Sequence, residues 1–158
     1  MQEIDYAQIN AKAIDRWIEN GWEWGVPIPR ETFADAKNGQ WSVVLTPTKP
    51  VPEEWFRPFL ENGRFSGAEL LGLASGGGQQ MPVFAALGAS CTVLDYSDRQ
   101  LDSERLVAER EGYDISIVKA DMSKRLPFEN ESFDLIFIRF PIVMWRTSAM
   151  SGTNAFAY

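Results

Sequence analysis

The chain has 158 residues, of which 45% are apolar, and this is enough for one domain with a hydrophobic core. Its net charge of −7, from 15 basic and 22 acidic residues, argues against binding of bulk nucleic acid or of acidic membranes. The lack of histidine excludes His-based acid–base catalysis and His-ligated metals, and we expect no metal site.

Cysteine usage and the N-terminal sequence indicate a protein of the cytoplasm. The single cysteine, Cys91, lies in an apolar run and is expected to be a buried thiol that forms no internal disulfide. The N-terminus carries neither the basic nor the apolar region of a signal peptide. No apolar run approaches the roughly 18 residues that a membrane helix requires. We therefore expect a cytoplasmic protein without membrane contact.

Residues 1–65 lack a regular alternation of strands and helices, and we predict a helical N-terminal cap that packs on the main domain. Its predicted elements are a helix at 6–20, a short helix at 31–38, a β-prone run at 41–45 and a helix at 53–60. Helical spacing predicts a buried face on the first helix formed by Ile9, Ala13, Trp17 and Ile18. Two interpretations of Trp17, Trp22 and Trp24 stay open: a lid over a ligand, or a core Trp17 with the other two packing the cap on the domain.

In residues 66–137 the predicted strands alternate with predicted helices. The predicted strands are 68–74, 91–95, 115–119 and 133–138, and the predicted helices are 79–87 and 98–111. Ser97 or Asp98 is expected to cap the second helix, and Gly88 and Gly112 are expected to end the two helices. The alternation predicts an α/β, Rossmann-like fold. We expect a mostly parallel sheet with helices on both faces, incomplete at the C-terminus.

A turn of small residues follows the first of these strands. It consists of Ala74, Ser75, Gly76, Gly77 and Gly78. Such a turn lets the backbone approach a ligand closely, and the helix that follows begins with unpaired N–H groups. The alternative is an ordinary tight turn. We favour a cofactor contact, because three consecutive glycines are costly without a reason for close approach.

Asp95 ends the second strand, about 20 residues after the glycine turn, where a carboxylate can accept hydrogen bonds from both hydroxyls of a ribose. The alternative is that Asp95 caps the next helix. Because Ser97 and Asp98 already serve as caps, we favour the ribose contact. Tyr96, the next residue, is included in the same predicted site.

Asp121 and Met122 follow the third strand. An acid there can accept a hydrogen bond from an adenine amino group while the methionine covers the face of the ring. The alternative is an ordinary loop acid. Asp134, at the start of the fourth strand, is expected to have a structural rather than a catalytic role.

Together these residues resemble the class I S-adenosylmethionine (SAM)-dependent methyltransferases. In that family an acid precedes a G-x-G-x-G turn. Here Ala74, Gly76 and Gly78 occupy the glycine positions, and Gly72 stands where the acid usually lies. Asp95 matches the ribose-binding acid, and the stretch LPFENESFDLIF resembles the family's approach to its fourth strand. The resemblance covers residues 67–137, and the N-terminal sequence is similar to a bacterial subgroup with a helical cap.

The resemblance implies transfer of a methyl group from SAM to a small-molecule or protein acceptor. No residue can be named as a catalytic base. The implied cofactor-binding residues are Gly72, Ala74, Ser75, Gly76, Gly77, Gly78, Asp95, Tyr96, Asp121 and Met122. Two other functions stay open. Gly72-x-Ala74-x-x-Gly77 partly fits the turn of an NAD(P)- or FAD-binding domain, and a non-catalytic interaction domain could keep the fold without the activity.

Residues 138–158 do not continue the pattern, because they hold no Asp, Glu or Lys and show no clean period. Our hypothesis is that the chain leaves its ancestral reading frame near Phe137, since a neighbouring frame admits codons for a charged amphipathic helix. The gene sequence tests this, and the idea fails if no single-base shift restores an open frame. Such a chain would leave a sheet edge uncovered, and we expect weak stability, self-association and little or no turnover.

Overall fold

The computed structural model describes residues 5–46, 49–138 and 143–146. The N-terminal part is built from short elements. They are the helices α1 (Tyr6–Glu19) and α2 (Arg30–Lys37) and the antiparallel pair β1 (Val44–Thr46) and β2 (Lys49–Pro50). Asp5 caps α1, since its side chain accepts a hydrogen bond from the amide of Gln8 at 2.9 Å.

The helix predicted at 53–60 is wrong, because this stretch forms two 3₁₀ turns, Glu53–Trp55 and Arg57–Phe59. Pro58 explains the difference, since it lacks the N–H group that a continuous α-helix needs at this point. The β-prone run is present but shifted, and its strand begins at Val44 rather than at Trp41.

The main domain contains a sheet of five strands within the described residues. Its elements are β3 (Glu69–Leu73), α3 (Gln80–Ala86), β4 (Ser90–Asp95), α4 (Asp98–Glu111), β5 (Ile115–Lys119), β6 (Leu135–Ile138) and β7 (Val143–Arg146). The strand order is β5-β4-β3-β6-β7, and the first four strands are parallel. All four predicted strands and both predicted helices are present, with ends shifted by two residues at most.

β7 is an element that the sequence did not predict. It pairs antiparallel with β6, with Phe137 opposite Met144. The backbone of part of the predicted aberrant tail therefore continues the sheet. The rest of that tail lies outside the described residues, and the hypothesis about the reading frame stays a prediction.

The sheet separates two apolar clusters, because successive side chains of a strand point to opposite faces. Leu70 and Phe137 belong to a large cluster with side chains of α2, α3 and α4. Leu71 and Leu73 belong to a smaller cluster, which residues 118–133 cover. The α/β, Rossmann-like fold class is confirmed, with one difference in detail: in the described part of the chain both crossover helices pack on one face.

The predicted buried face of α1 is wrong. Trp17 is 55% exposed and Ile9 is equally exposed, whereas Ala11 is buried. The face that contacts the domain carries Ala11 and Asp15 instead, and Ile18 packs against Gly25. The small side chain of Ala11 and the carboxylate of Asp15 thus decide how α1 packs on the domain. Trp17 instead packs edge-on against Trp22, with a distance of 5.4 Å between ring centroids.

Two further sequence predictions concern burial and membranes. Cys91 is a free, buried cysteine, as expected, and burial raises the pKa of its thiol. Among the described residues, no helix combines the length and the apolar character needed to cross a bilayer.

Candidate functional site

The glycine turn lies at the carboxyl end of β3. From β3 the chain moves outward to β4 and β5 and then returns to β6 on the other side, so that β3 and β6 flank the switch point where open α/β sheets bind ligands. Ser75 joins these two strands, because its Oγ lies 3.2 Å from the carbonyl oxygens of Leu73 and of Phe137. The turn is therefore fixed at the edge where a ligand is expected.

The main-chain amides of the turn are already hydrogen-bonded within the chain. Gly76 N donates to Asp95 Oδ2 at 3.1 Å, and Gly77 N donates to the carbonyl oxygen of Gln100 at 2.9 Å. Gly78 N donates to Glu104 Oε1 at 2.7 Å. The three amides are therefore not bare, because α4 and the end of β4 supply an acceptor to each glycine.

Glycine is required in the turn for close packing against the protein itself. A Cβ atom at Gly76 would lie 2.7 Å from Gln100 Cβ. At Gly77 it would lie 2.5 Å from the carbonyl oxygen of Trp24, and at Gly78 it would lie 2.7 Å from that of Ser103. The close approach that the sequence predicted therefore exists, but its partners in this structure are α4 and the N-terminal cap.

Gly72, which stands where the related family usually has an acid, lies inside β3 and faces α3. A Cβ atom there would lie 2.5 Å from Met81 Sδ. An acidic side chain at this position would collide with Met81, so the departure from the family's pattern is matched by the packing of α3. Its role as a cofactor contact stays a prediction.

Asp95 is a buried carboxylate that organises the end of β4. Besides Gly76 N it accepts hydrogen bonds at Oδ1 from the amides of Tyr96 and Ser97, at 2.8 and 3.0 Å. Ser97, rather than Asp95, caps α4, since its Oγ accepts a hydrogen bond from Gln100 N at 3.1 Å. Asp95 therefore links the glycine turn to the start of α4.

Asp121 and Met122 follow β5 at the same edge of the sheet. Asp121 Oδ1 accepts a hydrogen bond from Ser123 N at 2.8 Å, and hydrogen bonds from Ser123 lower the pKa of this carboxyl. Met122 is half-buried against the smaller apolar cluster. The described contacts leave both residues partly exposed, which an adenine contact would require.

Asp134 has the structural role that the sequence predicts. Its Oδ2 accepts a hydrogen bond from Glu69 N at 2.9 Å, and its own amide donates to the carbonyl oxygen of Glu69 at 2.8 Å. The residue thus aligns the starts of β3 and β6.

Glu104 is a site residue that the sequence analysis missed. It is fully buried beneath the glycine turn, and burial raises its pKa from the ordinary 4.5 to about 8, assisted by the charge of Asp95 and opposed by the hydrogen bond from Gly78. Its position predicts burial, since it lies three residues after Leu101 and four before Ala108 on the apolar face of α4.

Trp24 and Gln79 form a second feature that the sequence did not locate. Trp24 is buried, and its carbonyl oxygen packs on Gly77, which agrees with the interpretation that it packs the cap on the domain. Gln79 follows the glycine turn, and its Nε2 donates to the carbonyl oxygens of Glu23 and Val26 at 2.8 and 2.9 Å.

Comparison with known proteins gives one family. The model of the methyltransferase domain matches residues 71–150, about half of the chain. The uncharacterized methyltransferase YbaJ of Bacillus subtilis (strain 168) is 46% identical over 127 residues, which are 80% of this chain and 48% of that protein. The chain thus spans about half the length of this curated relative.

Two solved structures are similar in part. A SAM-dependent methyltransferase from Aquifex aeolicus shares 19% identity over 55% of this chain and 46% of that chain, with a TM-score of 0.45. The PH0226 protein from Pyrococcus horikoshii OT3 shares 25% identity over 53% of this chain and 39% of that chain, with a TM-score of 0.43. These structures add no argument to the family match. Because the family model covers half of the chain, the chain belongs to the methyltransferase domain family, and the resemblance stated from its sequence is confirmed.

Proposed function

We propose that the chain binds SAM and transfers its methyl group to a small-molecule or protein acceptor in the cytoplasm. Family membership supports the reaction type. Because the chain spans about half of its curated relative, the activity of the whole protein is part of this proposal.

The observation that carries the proposal is the alignment of three strand ends at one edge of the sheet. Ala74 N donates to the carbonyl oxygen of Leu94 at 2.8 Å, and Ala120 N donates to that of Asp95 at 3.2 Å. The residues that follow β3, β4 and β5 therefore lie side by side. We call this set the cofactor edge, and it consists of Ala74, Asp95, Tyr96, Asp121 and Met122.

The chemistry of the cofactor edge fits an adenosyl group. Asp121 presents a partly exposed carboxylate, which can accept a hydrogen bond from the adenine amino group. The carboxylate of Asp95 is buried and already accepts three main-chain hydrogen bonds, so a ribose contact would have to add to these bonds or replace one of them. The lowered pKa of Asp121 keeps it charged at neutral pH. Tyr96 and Met122, both partly exposed, offer the apolar surface that a purine ring needs.

When bound, SAM would supply a methyl group carried on a positively charged sulfur. The lone pair of the acceptor would form the new bond to the methyl carbon, and the electrons of the broken carbon–sulfur bond would stay on sulfur. The protein's part is to hold donor and acceptor in line. An acceptor nitrogen or oxygen that carries hydrogen would release a proton to water.

One observation favours a second candidate, a non-catalytic domain of the same fold. The amides of Gly76, Gly77 and Gly78 all donate within the chain, so a bound cofactor has to rely on side chains or displace these bonds. Binding of SAM without transfer to any acceptor would support this candidate.

Isothermal titration with SAM and with its demethylated product tests the proposal, with NAD as the control ligand. We expect saturable binding of both SAM and its product and no binding of NAD. If NAD binds and SAM does not, the dinucleotide-binding alternative is supported and the proposal is contradicted.

A matched pair of variants locates the site. Asp121→Asn removes a charged acceptor at the carboxyl end of β5, and Asp114→Asn makes the same change just before its amino end. We expect Asp121→Asn to weaken SAM binding by about tenfold, as the loss of one charged hydrogen bond implies, and Asp114→Asn to leave it unchanged. Equal effects of both variants would contradict the proposed position of adenine.

A further inference from the structure

A cavity of about 510 Å³ lies between the N-terminal cap and the main domain. One wall is formed by residues 23–29, which we call the Trp24 segment, and the others by residues near the starts of α2, β1 and α3. Pockets of roughly 300–1,000 Å³ are typical of sites for small molecules. None of the ten residues predicted to bind the cofactor lines this cavity.

The Trp24 segment is held in one position by hydrogen bonds to the main domain. Gln79 Nε2 donates to the carbonyl oxygens of Glu23 and Val26, and Ser103 Oγ donates to that of Gly25 at 3.1 Å. Because its backbone groups are bound in this way, the wall of the cavity is largely formed before any ligand arrives.

The cavity adjoins the glycine turn. Ile28 N donates to the carbonyl oxygen of Gly78 at 2.9 Å, and the carbonyl oxygen of Trp24 packs against Gly77. Gln79 and Gln80, which follow the turn directly, line the cavity. A molecule in the cavity would therefore lie beside the glycine turn. The same turn is linked to the cofactor edge by the hydrogen bond from Gly76 N to Asp95.

The walls are mostly apolar, and their charge is one-sided. Trp24, Ile28, Val43 and Val83 contribute apolar surface. Glu23 is the only charged residue among the described residues that line the cavity. An anionic ligand would be repelled by Glu23 and would find no basic partner in these walls. A neutral ligand would not be repelled, and a cationic ligand would be attracted.

Gln80 fixes a further wall of the cavity. The residue is 2% exposed, and its Nε2 donates to the carbonyl oxygen of Val44 at 3.1 Å, which fixes the orientation of the amide. Its Oε1 is buried and has no hydrogen-bond partner among the described residues. Because Oε1 is buried, it does not lie on the cavity surface, and the bond from Nε2 to Val44 fixes the start of β1 against α3 at this wall.

We propose that this cavity binds the methyl acceptor and that the acceptor is a small, largely apolar molecule, neutral or cationic. The inference rests on the proposed methyltransferase function. A cationic amine first loses a proton to water, which frees its lone pair. The lone pair of the amine or hydroxyl would then form the bond to the methyl carbon while the carbon–sulfur bond breaks with its electrons staying on sulfur. The methylated group would release its N–H or O–H proton to water.

The test uses aromatic fragments in matched sets that share a ring and differ in charge, such as tryptamine, tryptophol and indole-3-acetate. Their binding to the full chain is measured by ligand-observed NMR. We expect amines and alcohols to bind and the matching carboxylates to bind at least about tenfold more weakly. A preference for carboxylates, or no binding fragment in the panel, would overturn the proposal.

Two variants on α2 show whether the fragments occupy this cavity. Thr32→Trp fills the cavity from a lining position, and Ala34→Trp adds the same ring at an exposed position on the same helix. We expect Thr32→Trp to abolish fragment binding and Ala34→Trp to retain it. If both variants bind the fragments equally, the cavity is not their site and the inference fails.

A parallel titration with SAM separates this inference from the proposed function. SAM binding that survives Thr32→Trp together with fragment binding that is lost supports both proposals. Loss of both SAM and fragment binding in Thr32→Trp, with competition between them in the unaltered chain, would show that the cavity holds the cofactor and would overturn the acceptor site. Fragment binding without SAM binding would contradict the proposed function and leave the cavity as a ligand site of another kind.

Discussion

Asp15 and Ser97 are joined by a short hydrogen bond, in which Ser97 Oγ donates to Asp15 Oδ1 at 2.5 Å. The same carboxylate oxygen accepts from the amide of Arg99 at 3.1 Å. A residue of α1 thus binds the first turn of α4, directly after the cofactor edge. The N-terminal cap and the turn that carries Asp95 are therefore coupled through one carboxylate.

We expect Asp15→Ala to destabilise the chain by about 1–2 kcal/mol, because the hydroxyl of Ser97 and the amide of Arg99 lose their shared acceptor. Urea unfolding followed by tryptophan fluorescence measures the change. Lys12→Ala, at an exposed position of α1, is the control and should have little effect. Equal stability of the Asp15 variant and the unaltered chain would show that this contact does not hold α1 in place.

The buried carboxyl of Glu104 predicts how stability depends on pH. Its pKa in the folded chain, about 8, exceeds the ordinary 4.5, so folding favours the protonated form. This contribution is complete below pH 4.5 and is lost as the pH rises towards 8. The chain has no histidine, so few other groups titrate in this range. The free energy of unfolding should therefore fall as the pH rises from about 5 to 8.

Glu104→Gln should flatten this dependence. The amide keeps an acceptor for Gly78 N and adds an N–H donor one helical turn after Gln100, whose buried Oε1 has no partner in the described residues. Relative to the unaltered chain, we expect Glu104→Gln to gain up to roughly 4 kcal/mol between pH 5 and 8. Denaturant titrations at four pH values provide the measurement, with the exposed Glu109→Gln as control. Parallel pH profiles for both variants would show that Glu104 does not titrate in this range.

Two glycines with similar φ angles allow the cost of backbone strain to be separated from the cost of a steric clash. Gly78 has a φ of +67° and Gly112 has a φ of +70°, but a Cβ at Gly112 would meet no atom within 4 Å. We expect Gly112→Ala to cost about 1 kcal/mol from its backbone conformation alone. Gly78→Ala should cost roughly 2–4 kcal/mol, because its Cβ also collides with α4. Thermal unfolding of the two variants measures the difference, and equal melting temperatures would contradict the packing described for the turn.

The edge of the sheet predicts self-association. β5 is the last strand on its side of the sheet among the described residues, so it exposes unpaired backbone groups. We expect the chain to form larger species as its concentration rises, which light scattering after gel filtration detects. Ser116→Lys places a charge on β5 and should reduce association, whereas Asn38→Lys adds the same charge away from the edge and should not. A monomer at all concentrations would contradict this prediction.

Local patterns were sufficient to predict the four parallel strands, the two crossover helices and a cap of α4 at Ser97 or Asp98, because each depends on neighbours in the sequence. The partners of the glycine turn were not predictable in this way. Gly78 meets Glu104, which is 26 positions away, and only the packing of α4 brings the two together. The docking face of α1 was missed for a similar reason. Its largest apolar side chain, Trp17, is more than half exposed to solvent. The contact depends instead on a hydrogen bond between Asp15 and Ser97, which lies just before α4.

Gln79 links the glycine turn to the wall of the cavity beside it. Its position in the chain follows the glycine turn directly, and its side chain fixes two carbonyl groups of the Trp24 segment. A ligand that moved Gly77 and Gly78 would therefore also have to move Gln79 or break its two hydrogen bonds to the wall of the cavity. A rigid turn would leave the two sites to fill in either order, whereas a turn that yields to one ligand would make the order of loading matter.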